Sequence, residues 1–528
     1  MDDPLFVWTA QHLAHHPFDP FGLRVVWYAT ETPMAEVTKN PPLASYYLAL
    51  FGTIFGWSER SLHLALVLPA LTVILGTYHL AARITRWPLL AAVLTLFAPG
   101  FLVSCTTVMC DILMLALWVL VLVFWLEGTD SGKHWQFALA AILTAACAVT
   151  KYFGMALIPL LLAYSLCKRR RLPVALAYLA VPVFFLLAYQ YWTHGRYGRG
   201  FLSDAAQYAS FHNRGHELSF LAKTFVGLAF VGGCALPASF CAPLLWKRRW
   251  IFAALVLCTI TGLTIANHRA WFDTPRAAAA WTAVSLQMAL WISGGISAVS
   301  VGIVALRKIT GNALLLSLWA GGTFLFAAYL NWTINARSVL PMIPAIAILM
   351  AFLLEKVGAV ERPGFTRNIG LALLASGLLS IWIACADAAL ANAGRRAAAQ
   401  IAEQVRPFEV PVYFEGHWGF QYYMQAFGAR PADVDNSPFH AGDVVIIPEN
   451  TTNSFGPPRG FVLADVRIIA LPVSRSVATM SQPLGAGFYA SVWGTLPFAF
   501  GSVPPERYLI ARLAPVEDAN RPLVFKPR

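Results

Sequence analysis

The chain has 528 residues, 58% of them hydrophobic and 12% charged, with a mean hydropathy of +0.61. Soluble globular proteins are about half apolar and a quarter charged, so this composition excludes a water-soluble enzyme or binding module. The net charge of +12 lies almost wholly ahead of Leu390, in short Lys/Arg clusters between apolar runs. That pattern orients helices in a membrane and does not form the basic, aromatic-studded stripe that nucleic acid requires.

Twelve apolar runs read as membrane-spanning helices: Ser61 to Ala81, Pro88 to Val103, Ile112 to Leu126, Trp135 to Thr150, Tyr152 to Cys167, Pro173 to Trp192, Phe220 to Leu245, Ile251 to Ala266, Leu286 to Leu306, Ala313 to Trp332, Val339 to Leu354 and Ile369 to Leu390. Several are shorter than the ~20 residues of an untilted span. With Met1 to Pro42 placed outside, every basic cluster falls on the inner side: Arg83 with Arg86, Lys133, Lys168 to Arg171, Lys247 to Arg249, Arg307-Lys308, and Lys356 with Arg362 and Arg367. The positive-inside rule selects that orientation. The loop at 193–219, the loop at 267–285 and the C-terminal region are then non-cytoplasmic. An exported loop that opens at Met1 has no apolar run ahead of it, so a further first helix is expected upstream.

The eight cysteines lie in or beside apolar runs, and none falls in the polar C-terminal region. They read as small buried side chains rather than a disulfide framework or zinc site. After Leu390, β-rich runs at Val410 to Phe414, Val444 to Pro448 and Val462 to Leu471, with a helical stretch at Phe420 to Phe427, predict a small α/β domain. The expected division is therefore a membrane domain at 1–390, including a first outer loop at 1–42, and an extracytoplasmic α/β domain at 391–528. Gly485 to Phe500 is apolar but is broken by Gly494 and Pro497, and is not expected to span.

Ionisable residues at the outer ends of apolar segments are the candidates for chemistry. Asp2 and Asp3 open the first loop, which closes on Thr38-Lys39-Asn40-Pro41-Pro42-Leu43 ahead of the aromatic stretch Tyr46-Tyr47-Leu48. Asp111 heads an otherwise uncharged apolar helix, where a carboxylate either serves a site or acts as a first-turn charge. Lys151 interrupts two apolar runs on the face that the positive-inside rule depletes of cations. Lys39 and Arg337 either serve an anion or reach to the interface.

In their order, the acidic pair with Lys39 and Pro41-Pro42-Leu43, then Met109-Cys110-Asp111, Thr150-Lys151-Tyr152-Phe153-Gly154, and Arg337-Ser338-Val339-Leu340-Pro341 with Pro344, resemble the GT-C glycosyltransferases of the protein O-mannosyltransferase and lipid A aminoarabinose transferase type. The resemblance implies a GT-C fold and transfer of a sugar from a polyprenyl-phosphate carrier to a lipid, glycan or protein acceptor on the non-cytoplasmic face. It implies Asp2 or Asp3 as general base, with Asp111 also at the catalytic positions, and Lys39, Lys151 and Arg337 as binders of the donor phosphate. Such a transfer needs a base for the acceptor hydroxyl and cations for the departing phosphate.

Relatives often carry a carboxylate before the Pro-Pro pair that can hold a metal, whereas Lys39-Asn40 stand here. A divalent cation is thus left open, with Glu36, His212, His216 and Glu217 as candidate ligands. The alternative from another class is a transporter or lipid flippase, whose ionisable sites belong near mid-membrane. A third reading is a non-catalytic assembly protein. The Ala-rich chain with dense Arg suits a bacterial inner membrane.

Overall fold

A computed structural model describes residues 2–169, 171–215, 218–246, 248–272, 275–306, 311–358, 361–406, 410–452 and 454–516. His216 and Glu217, and Arg170, Lys247, Arg307 and Lys308 of the basic clusters, lie outside the described residues, as does the His212 side chain. The chain folds as two compact units, and the division between them does not follow the expected boundary at 390/391. The larger unit runs from Lys39 to Ala384 and also takes in Val477–Gly501; the smaller holds the chain up to Thr38, Cys385–Ser476, and the chain from Ser502 on.

The larger unit is helical. Among the described residues, seven unbroken helices are long and apolar enough to cross a membrane, and nine if two bent pairs each count as one span. The first pair, Pro88–Leu96 with Pro99–Cys105, bends by 62°, and the second, Phe220–Cys234 with Leu236–Leu245, by 86°. Both follow from sequence: Pro99 and Pro237 sit at the start of the second helix of each pair, where a ring without an N–H is tolerated and the preceding helix cannot continue. His134–Ala148, Tyr152–Lys168 and Ile251–Asn267 are apolar but shorter than the span length. Every one of the twelve apolar runs is therefore helical, but not every one is an unbroken span.

Small residues permit a close helix crossing in this unit. A Cβ on Gly232 would lie 1.9 Å from the Trp291 carbonyl oxygen, and one on Gly295 would lie 2.0 Å from that of Leu228. The Phe220–Cys234 and Trp281–Leu306 helices therefore meet backbone to backbone, as small residues permit in membranes. Large apolar side chains such as Phe184, Leu187, Phe252 and Leu263 are exposed, as lipid-facing positions require. The cysteines are all free, with Cys110, Cys147, Cys234 and Cys241 buried. Cys167 and Cys385 are exposed, contrary to expectation, because their helix faces are not covered by protein.

The smaller unit carries a five-stranded sheet. Its order is Arg430–Pro431, Val412–Phe414, Val444–Pro448, Glu506–Pro515 and Phe461–Leu471. Val412–Phe414 pairs parallel with Val444–Pro448 around the Trp418–Ala426 helix, the expected strand, helix, strand arrangement. The Glu506–Pro515 strand, inserted antiparallel between two others, was not expected. One sheet face buries Phe414, Val444, Ile446, Tyr508 and Ile510 against Ala393, Ala397 and Ile401 of the Phe365–Val405 helix.

Candidate active site

In the larger unit, three of the predicted residues meet. The Lys151 ammonium donates to Asp111 Oδ1 at 2.6 Å, and Arg337 Nε–H donates to Asp111 Oδ2 at 2.8 Å. The Asp111 side chain is 1% exposed, Lys151 17% and Arg337 12%. A carboxylate so enclosed is tolerated only with close counter-charges, and two cations leave the trio with one net positive charge.

Local sequence dictates each position. Asp111 is the first residue of the Asp111–Ser131 helix, where the N-terminal dipole favours an acid. Lys151 has an extended backbone between the His134–Ala148 helix and a 3-10 turn at Tyr152–Ala156. Gly154 lets that turn fold against the preceding helix, since a Cβ there would lie 2.5 Å from Cys147 backbone atoms. Phe153 stacks on Trp118 at 5.3 Å and meets Phe326 at 4.6 Å, which pins the turn to the Asp111 helix. Arg337 rides on a short helix, Ala336–Val339, capped by the Asn335 side chain accepting from the Ser338 N–H.

Lys39 stands in a second cluster. Its ammonium donates to Asp204 Oδ2 at 2.8 Å and lies 5.5 Å from the centre of the Tyr208 ring. Arg199 Nη1 approaches the other Asp204 oxygen at 3.8 Å. The next residue, Asn40, meets the Cys110 thiol at 3.7 Å, and the Leu43 N–H donates to the Val149 carbonyl at 3.0 Å. Lys39 is thus tied through its neighbours to the segments that carry Asp111 and Lys151. Sequence reasoning missed Asp204, Arg199 and Tyr208. The available signal was the i, i+4 spacing of Asp204 and Tyr208, which puts an acid and a ring on one face of the Phe201–Gly215 helix.

Asp2 and Asp3 belong to the smaller unit, at the head of the Asp3–His15 helix. There the first-loop hairpin, Arg24–Val26 paired with Glu31–Pro33, is held by side chains and backbone from the C-terminal part of the chain. Gln421 donates to the Val26 carbonyl at 2.8 Å and the Val434 N–H to that of Ala29 at 2.8 Å, while Asp433 Oδ2 accepts the Glu31 N–H at 2.9 Å. Ala29 has a φ of +71°, a left-handed conformation that this clasp sustains. Buried His417 completes it. Its Nδ1 lies 3.1 Å from the Trp27 carbonyl, which can only accept, so Nδ1 carries the proton and Nε2 accepts from the Thr452 hydroxyl at 2.6 Å. Burial pushes the His417 imidazole down to about 4, against the opposing influence of the Asp2 carboxylate. His417 sits in the turn between the Val412–Phe414 strand and the Trp418–Ala426 helix, and it packs on the first loop.

Glu36, the nearest acid to the Pro-Pro pair, is exposed on a four-residue helix, Met34–Val37. Among the described residues no group of three or more His, Cys, Asp or Glu is assembled for a metal. The pair ahead of Pro41, an ammonium and an amide, does not suit a divalent cation, which takes several oxygen ligands including carboxylates.

Residues 39–192 match the family model described as dolichyl-phosphate-mannose-protein mannosyltransferase. That segment is thus similar to a family of membrane mannosyltransferases. The matched segment is under a third of the chain and contains Lys39, Asp111, Lys151 and the Gly154 turn, while Arg337 and Asp204 lie beyond it. No curated protein matches. Solved structures similar to this chain include ArnT from Cupriavidus metallidurans in the apo state, at 18% identity, 85% coverage of this chain, 88% of that chain and a TM-score of 0.41. The same protein bound to undecaprenyl phosphate gives 16%, 85%, 88% and 0.40. An oligosaccharyltransferase from Archaeoglobus fulgidus in complex with Zn and sulfate gives 15%, 83%, 59% and 0.45.

Proposed function

We propose that this chain transfers a sugar from a polyprenyl-phosphate-linked donor to a hydroxyl of a lipid, glycan or protein on the non-cytoplasmic face of its membrane. The observation that carries the reading is the pair of cations, Lys151 and Arg337, held at fixed positions by the buried carboxylate of Asp111, which with Lys151 lies in the segment that the mannosyltransferase family model matches. In the reaction, the acceptor oxygen attacks the anomeric carbon as the bond from that carbon to the phosphate oxygen breaks. The acceptor proton passes to Asp2 or Asp3, and the electron pair leaves with the polyprenyl phosphate. Lys39, Lys151 and Arg337 stabilise the charge that develops on that phosphate. Direct displacement inverts the anomeric centre. Both Asp111 oxygens are engaged by cations, which supports an anchoring role for it in place of the general-base role. The host membrane is a bacterial inner membrane, and the α/β domain is extracytoplasmic.

The test is release of polyprenyl phosphate by the purified chain from a panel of lipid-phosphate sugars, with acceptors supplied by membrane extract. Release that requires extract and is lost in Asp2→Asn or Asp3→Asn supports the transferase and names its base. Absence of release from every donor by folded protein sinks the reading.

A further inference from the structure

We infer that the segment 477–501 is a strap that positions Arg337, with Ser491 as its central residue; the inference deepens the proposed function and rests on Arg337 binding the donor phosphate. The chain ahead of Arg337 leaves regular helix after the Phe326–Leu330 turn, so its backbone groups need partners from elsewhere. The strap supplies them. Phe488 accepts the N–H of Ala336, the residue before Arg337, at 2.9 Å. The Ser491 hydroxyl accepts the Ile334 N–H at 3.2 Å and lies 3.1 Å from the Thr333 hydroxyl, and the Ser491 N–H donates to the Ile334 carbonyl at 2.8 Å.

The strap is itself stiff. A Cβ on Gly494 would lie 2.0 Å from the Gly485 carbonyl carbon, so two passes of backbone run in contact that only glycine allows. Met480–Ser481 pairs with Ala486–Gly487, and Val477–Ala478 with Ala499–Phe500. Its far end is fixed to the Trp281–Leu306 helix by Gln287, which accepts the Phe500 N–H at 2.7 Å and donates to the Phe500 carbonyl at 3.0 Å. Trp291 meets Phe498 edge-on at 5.1 Å. A closed loop anchored at Gln287 and hydrogen-bonded to Ile334 and Ala336 fixes where the Arg337 guanidinium starts. Cations that cradle a phosphate must be held to about half an ångström, so this segment acts on donor binding through Arg337. It also accounts for an apolar, Gly-broken stretch that is too short to span.

The experiment measures binding of undecaprenyl phosphate, the product expected from a donor of this class, to the full chain in lipid nanodiscs. Ser491→Ala is expected to weaken binding about tenfold, the loss of roughly one charge-assisted contact's alignment, and Ser491→Thr to restore it. On an Arg337→Gln background, Ser491→Ala is expected to cost nothing further. Unchanged binding by Ser491→Ala, or an equal loss on both backgrounds, overturns the strap's role. Failure of the wild type to bind at all overturns the phosphate reading and the strap's role with it, which separates the two failures.

Discussion

Asp111 and Arg337 are 226 residues apart in sequence, yet Arg337 Nε–H donates to Asp111 Oδ2 at 2.8 Å inside a bundle of apolar helices. Lys151 engages the other oxygen, so one buried carboxylate holds two cations.

Removing the shared carboxylate strands two enclosed cations. Asp111→Ala is therefore expected to destabilise the protein by about 3–5 kcal/mol, the usual cost of breaking a buried pair from one side. Asp111→Asn combined with Arg337→Gln should be far less damaging than the two single changes added together. Thermal unfolding in detergent checks both; additive losses would mean that the trio is not energetically coupled.

The Gly154 turn predicts a steric result. Gly154→Ala puts a methyl 2.5 Å from the Cys147 backbone, which cannot yield as a flexible side chain would. The turn must shift and carry Lys151 with it, at about 1–3 kcal/mol of stability and with weaker donor binding than the wild type. A variant with wild-type melting temperature and donor KM would contradict this packing.

The Lys39–Asp204 pair should behave differently, since both side chains are about a quarter exposed. Asp204→Asn is expected to change stability by less than about 1 kcal/mol. Lys39→Gln should raise the donor KM by roughly tenfold or more, the value of one charge-assisted contact to phosphate. Melting curves alongside donor titrations separate the two effects, and a large stability loss in Asp204→Asn would show that the pair is structural.

Two groups outside the spans set opposite pH slopes in the smaller unit. His417 is pushed by burial down to about 4 from an unfolded value near 6.5. Its folded form thus binds fewer protons, and its contribution is present above about 6.5 and lost as pH falls toward 4, on the order of 3 kcal/mol. Glu506 is pushed by burial up to about 7, against the Asn450 amide that donates to it at 2.8 Å. Its contribution is present below about 4.5 and lost as pH rises through 7. Hydrogen exchange in 412–452 should accelerate on acidification in the wild type and much less in His417→Gln. Glu506→Gln should flatten the alkaline limb. Identical pH profiles in wild type and variants would refute both assignments.

Much of the membrane architecture was legible because a bilayer imposes strong rules on sequence. The apolar runs became helices, and Asp111, Lys151 and Arg337 stood out as charges at the ends of apolar segments, though not as partners of one another. The bends at Pro99 and Pro237 were written in the chain but not weighed against run length. The Glu506–Pro515 strand escaped because a strand that pairs on both sides is identified by its partners, not by its composition.

Sequence by itself determined the solvent of this protein, its helical bundle and the few charged residues set among apolar runs, because transfer energies and charge costs act locally on each side chain. Only the tertiary structure decided that Asp111 serves two cations at once, that Asp204 holds Lys39, that His417 and Gln421 clasp the first loop, and that 477–501 braces the segment before Arg337. Those are pairings between segments far apart in the chain. Their geometry depends on how helices and sheet pack, and no local pattern encodes which distant carboxylate, amide or carbonyl will complete a given group.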